Sequence, residues 1–178
     1  MNTLMPYHVS HPIQVVSYDL RWPALFEEER VRLLAALAPT VLEIEHFGST
    51  SVPGLPAKPI LDLLAAVRRL EDVDPLTDSL GGLGYQDASL WLGGWVIPDR
   101  RLFCRGPYNE GTHHLHFAVL GSTPWVGNLR FRNLLRSDSE AAAEYARLKQ
   151  GLAEAHGTDV DGYTEGKTEF VFSALGRE

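Results

Sequence analysis

The stretch from His46 to Leu64, HFGSTSVPGLPAKPILDLL, constrains the fold more than any other part of the chain. Residues 41–47 read as a strand that ends at Gly48-Ser49, and a second apolar run at 60–67 reads as another strand after a loop rich in Gly, Ser and Pro. Gly48, Ser49, Thr50, Ser51 and Gly54 are small enough for successive backbone N–H groups to share one concavity. The three hydroxyls add donors for phosphate oxygens. Lys58 brings a positive charge beside this loop, and Asp62 stands alone as a charge within Pro59-Ile60-Leu61-Asp62-Leu63-Leu64. A carboxylate in an apolar strand must find a partner or lose several kcal/mol, on the order of the desolvation cost of a buried ion. A hydrated Mg²⁺ is one such partner.

His114-Leu115-His116 is a second candidate for ligand chemistry. Residues two apart on a strand face the same way, so the two imidazoles project together while Leu115 and Phe117 take the other face, and His113 shares that face or sits at the strand start. Asp62, His114 and His116 together offer three ligands to Zn²⁺, Mn²⁺ or Fe²⁺. Hydrogen bonding to neighbours and contact with phosphate are the other roles open to the pair. A histidine-triad phosphoesterase is disfavoured, because Ala118 occupies the third place of its His-x-His-x-His run.

Other charges could serve the same loop. Arg105 ends its strand before Gly106-Pro107 and could grip an anion with two N–H groups. Arg132 and Arg136, four apart on one expected helix, could form a clamp. Lys167 follows Tyr163-Thr164-Glu165-Gly166, and Glu45 precedes the turn as a further carboxylate.

The chain resembles the GrpB family of small bacterial proteins. The resemblance is carried by Trp22-Pro23 ahead of a Glu-rich helix, by Glu45 to Leu55 and Ala57 to Asp62, by His114-Leu115-His116, by Phe131 to Arg136, and by Tyr163-Thr164 with Lys167 and Phe170. It implies a nucleotidyltransferase-like fold, α+β, with a mixed sheet, helices mainly on one side and a helical C-terminal third. It also implies a nucleotide or other phosphorylated small molecule as ligand, with a divalent metal (Mg²⁺, Mn²⁺ or Zn²⁺). Gly48, Ser49, Thr50, Ser51, Arg105, Arg132 and Lys167 would then contact phosphate, Asp62 and Lys58 would serve catalysis, and Asp62, His114 and His116 would hold metal. Such enzymes carry a second acidic residue two positions after the first, where this chain has Leu64. Two-metal transfer normally relies on that carboxylate. The alternative is a non-catalytic module for a nucleotide or coenzyme A precursor, since related domains occur fused behind dephospho-coenzyme A kinases.

At 178 residues and 44% hydrophobic composition, the chain has the length for a single domain over residues 19–178 behind a leader at 1–18. A net charge of −7 argues against broad binding to nucleic acid or anionic membrane, and no apolar run reaches the ~20 residues that span a bilayer. The single cysteine, Cys104, forms no internal disulfide and fits a reducing cytoplasm; a buried strand position suits it. Elsewhere the pattern predicts a helix up to Pro39, a helix from Asp74-Pro75 through Leu80, short strands within 85–95 turning at Gly93-Gly94, strands at 100–105 and 113–120, and three helices: 123–136, one capped near Asp138 through His156, and 163–175. Ala142, Tyr145, Leu148 and Leu152 share one face of the middle helix, which makes Tyr145 a core residue.

Overall fold

The computed structural model describes residues 9–90 and 99–176. The turn expected at Gly93-Gly94 lies outside them. Five strands, β1 Glu43–Phe47, β2 Leu61–Val67, β3 Tyr85–Asp87, β4 Arg101–Arg105 and β5 His113–Val119, form one sheet in the order β1-β2-β5-β4-β3. Only β2 and β5 run parallel; the other three pairings are antiparallel. β2 and β5 are the central pair, covered on both faces, which explains why both are almost uninterrupted apolar runs.

Strand parity then sorts the chemistry. Leu61, Leu63, Ala65 and Val67 point with Phe103, Leu115 and Phe117 into a dry core. Helix α1, Trp22–Leu37, closes that core with Leu33 and Leu37 while Phe26 and Leu34 pack at its edge, and α2, Thr77–Gly82, adds Leu80. On the opposite face Leu64, Ala66 and Ala118 pack with Phe47 and with Trp125 of α3, Thr123–Ser137. Asp62, His114 and His116 share this second face, in register across β2 and β5: Asp62 pairs with His114 and Leu64 with His116.

The greater helical mass follows α3. Helix α4, Ser139–His156, is capped by Asp138, whose carboxylate accepts from the amides of Glu140 and Ala141 at 3.0 and 2.9 Å. Tyr145 is buried there against Val52, Leu55 and Leu135, as the stripe requires. The helix expected over 163–175 is two helices, α5 Val160–Glu165 and α6 Thr168–Leu175. The break has a packing cause: Gly166 lies against the Leu152 side chain so closely that a Cβ there would meet it, and Lys167 turns inward at the junction. Cys104 is fully buried on β4. Among the described residues, no helix is long and apolar enough to cross a membrane.

Candidate functional site

The Gly-Ser turn is built around Asp62. Gly48 follows β1 with φ near 67°, a conformation that side chains resist, and enters a single 3₁₀ turn, Ser49–Ser51. Across the β1–β2 ladder Phe47 stands opposite Asp62, so the Asp62 side chain lies over Gly48. A Cβ at Gly48 would come within 2.9 Å of the Asp62 Cβ and Cγ and nearer still to its carboxylate. Two of the three hydroxyls are engaged within the turn: Thr50 Oγ1 bonds His46 Nε2 at 3.0 Å and Ser51 Oγ donates to the Gly48 carbonyl at 2.6 Å. Arg136 donates to the Ser51 carbonyl at 3.0 and 2.8 Å, and Arg132 donates to Glu45 and to the His46 carbonyl at 2.6 and 2.8 Å. The two arginines, expected from sequence as an anion clamp, fix the backbone of the turn, and Glu45 is the counter-ion of Arg132.

Asp62, His114 and His116 converge. One ligand atom from each lies within 4.8 Å of the others; Asp62 Oδ1 is 3.4 Å from His114 Nδ1 and 4.0 Å from His116 Nε2. Two atoms bound to one tetrahedral ion at ~2.1 Å stand about 3.4 Å apart, so this spacing needs little adjustment to take a metal. One carboxylate and two imidazoles suit Zn²⁺, Mn²⁺ or Fe²⁺. Both histidines are buried, His114 at 7% and His116 at 9% exposure, and His116 Nδ1 has no hydrogen-bond partner among the described residues. Burial, aided by the Arg100 charge, pushes the His116 pKa down to about 3, so the imidazole is neutral at pH 7, as ligation demands. For Asp62, burial acts upward, but the His114 contact and the neighbouring positive groups outweigh it and hold the carboxyl below its ordinary range.

Three amines share the electrostatic field of this carboxylate. Lys58 Nζ bonds Asn109 Oδ1 and sits 5.2 Å from the Tyr163 ring centre; Lys167 Nζ lies over the same ring at 4.3 Å. Lys149, 2% exposed, donates to the Pro56 carbonyl and lies 5.0 Å from the Tyr145 ring. Burial lowers the pKa values to about 8 for Lys58 and about 7 for Lys149 and Lys167, with Asp62 opposing the shift in each case. Lys149 escaped the sequence reading, although it falls four residues after Tyr145 on the buried stripe of α4. Arg100 escaped it too: its charge acts on both Asp62 and His116.

The structure does not bring Arg105 to this cluster. It faces the α1 side of the sheet, where its guanidinium bonds Glu29 and lies 5.0 Å from the Tyr85 ring. His113 shares that face, 6.3 Å from the same ring.

Comparisons with known proteins agree with the geometry at the level of family. The family model described as GrpB protein matches residues 12–177. A UPF0157 protein of Pseudomonas aeruginosa is 40% identical over 93% of this chain and 67% of its own length. The UPF0157 protein YqkA of Bacillus subtilis is 36% identical over 91% of this chain, which spans 46% of that relative. A dephospho-CoA kinase of Mycolicibacterium paratuberculosis is 26% identical over 93% of this chain and 46% of the kinase. The crystal structure of the conserved protein GrpB from Enterococcus faecalis superimposes with a TM-score of 0.79 at 36% identity, covering 92% of this chain and 98% of that one.

Proposed function

The chain belongs to the GrpB family, and we propose that it binds a divalent metal at Asp62, His114 and His116 together with a nucleoside triphosphate or related phosphorylated ligand. The observation that carries this reading is the uncompensated charge of the site. Lys149 is buried, Lys58 and Lys167 are half-buried, and among the described residues the carboxylate that acts on all three is Asp62. Buried ammonium groups without matching acids cost folding energy, and a polyanion returns it on binding. The space that Gly48 leaves is taken by the Asp62 carboxylate, so the turn offers a phosphate Ser49 at its opening and, through Asp62, a metal.

Each residue has a defined task in nucleotidyl or phosphoryl transfer. Lys58 and Lys167 hold and orient the polyphosphate, Lys149 fixes the Pro56 carbonyl behind the loop, and Leu64 with Phe47 and Trp125 keeps water from the sheet side. A metal, when bound, neutralises developing charge on a phosphoryl oxygen. A single cysteine and reduced thiol fit the cytoplasm as its compartment.

A second reading is favoured by Leu64, which is fully buried among Phe47, Ala66 and Trp125 where transferases of this kind place a second carboxylate. On that reading the chain is a non-catalytic module for a nucleotide or coenzyme A precursor. Calorimetry separates the two. Titrating Mn²⁺, Zn²⁺ and then nucleoside triphosphates or dephospho-coenzyme A into wild type and Asp62→Asn should show metal binding and turnover in wild type, both lost in the variant, with turnover falling on the order of 10²-fold or more. Ligand binding indifferent to metal and to the substitution, with no turnover in wild type, leaves the module.

A further inference from the structure

Asn109 touches both halves of the proposed site. It sits at φ near 60° in the tight β4–β5 connection, whose neck is closed by Gly106 against Gly111. Its backbone N–H donates to His114 Nε2 at 3.3 Å, and its side-chain oxygen accepts from Lys58 Nζ. His114 is further fixed by Tyr108, stacked on its ring at 5.4 Å and 20°.

The backbone amide can only donate, so Nε2 of His114 must offer its lone pair, and the one ring proton of the neutral imidazole sits on Nδ1, toward Asp62. That arrangement is the reverse of a metal ligand, whose second nitrogen keeps a proton and normally donates it to a carbonyl or carboxylate. If a metal takes Nδ1, the proton moves to Nε2 and confronts the Asn109 N–H donor to donor. If it takes Nε2, it claims the lone pair that the amide uses. On either route the ring stays neutral and the Asn109 amide must leave.

The geometry points to Asn109 as a coupling residue: metal at His114 displaces its amide, and the same movement withdraws its side-chain oxygen from Lys58, freeing the ammonium for a polyphosphate. Metal and anion therefore assist each other through protein as well as by direct contact. This rests on the metal and phosphate reading above.

The test uses ¹⁵N-labelled protein and Zn²⁺ alone, followed by long-range imidazole correlations, the Asn109 amide signal and the Lys58 Nζ signal. The metal-free protein should show His114 protonated at Nδ1, and Zn²⁺ should shift the Asn109 amide and the Lys58 signal together. In parallel, metal-free Asn109→Gly, which keeps the positive φ and the amide but not the side-chain oxygen, should bind inorganic triphosphate about tenfold more tightly than metal-free wild type, because a charge-assisted bond no longer competes for Lys58. Zn²⁺ bound with the Asn109 and Lys58 signals unmoved overturns the coupling and leaves the metal site standing. Unaltered or weaker triphosphate binding by Asn109→Gly overturns the Lys58 arm. No Zn²⁺ binding by wild type removes the site itself, and the coupling with it.

Discussion

Two carboxylates lie on opposite faces of the sheet, Glu29 buried and Asp62 half-buried, and they are treated in opposite ways. Glu29, 6% exposed in α1, accepts from Arg32 at 3.0 and 2.7 Å, from the Tyr85 hydroxyl at 2.8 Å and from Arg105. Burial pushes its pKa up, but these bonds outweigh burial and hold it at about 2. Among the described residues Asp62 has no arginine fork; its neighbours are the two imidazoles, at 3.4 and 4.0 Å. Glu29 is a closed structural knot, with every oxygen answered by a donor. Asp62 is an open charge beside one buried and two half-buried amines, the condition expected of a group whose partner arrives from solution.

The largest test of this contrast is a pair of neutral isosteres. Glu29→Gln leaves the Arg105 guanidinium half-buried without its counter-charge, and should lower unfolding free energy by about 3–5 kcal/mol. Asp62→Asn should cost less, about 1–2 kcal/mol, because its contacts to the imidazoles are loose and the loss is confined to its field on the three amines. Urea unfolding measures both. Equal losses would mean that Asp62 is as much a part of the scaffold as Glu29 and would remove the distinction.

The contrast also explains what the sequence disclosed. Asp62 and the His114, His116 pair were legible because strand parity is a local rule, and a single charge in an apolar run is conspicuous. The Gly48 turn was legible for the same reason. Glu29 was not: on paper it is one of three consecutive glutamates on a helix, and its partner Arg105 lies 76 residues away in sequence. Arg105 was accordingly read as a ligand contact when its charge is already spent on the opposite face. Arg132 and Arg136 were correctly paired on one helix face, yet their targets are carbonyls 85 and 86 residues distant, which spacing cannot reveal. Lys149 was missed because a lysine within an apolar stripe is ordinarily taken for the stripe's edge, and only packing shows it inside.

Gly48 gives the next largest effect and sharpens the comparison from the backbone side. In Gly48→Ala the new methyl meets the Asp62 side chain and also imposes a positive φ on an L-residue, so about 2–4 kcal/mol should be lost. The two causes separate in a double-mutant cycle. Asp62→Ala removes the obstruction but leaves the φ cost, so the same Gly48→Ala change made in that background should cost only about 1–2 kcal/mol. Full additivity would show that Asp62 does not shape the turn.

The smallest effect is a pH dependence that has the same sign at the two carboxylate sites but falls in different pH windows. Glu29, with a folded pKa of about 2 against an ordinary value of 4.5, contributes stability that is present above pH 4.5 and lost as pH falls toward 2. The lysines of the Asp62 site work at the alkaline end. Their folded pKa values of about 7 to 8 lie below the 10.5 of the unfolded chain, so between those limits the unfolded state binds more protons and stability rises with pH. Linkage at those values gives about 2 kcal/mol each for Lys149 and Lys167 and about 1 kcal/mol for Lys58 between pH 7 and 9; solvent screening of the half-buried Lys58 and Lys167 reduces the sum to about 1–3 kcal/mol, read as an increase in the urea midpoint at constant slope. Saturating inorganic triphosphate should flatten it, since a bound polyanion keeps the amines protonated in the folded state as they are in the unfolded one. Lys149→Met and Lys167→Met should each remove part of the rise. A flat profile in wild type between pH 7 and 9 would show that the three amines are already neutralised or solvated, and the open half of the comparison would close.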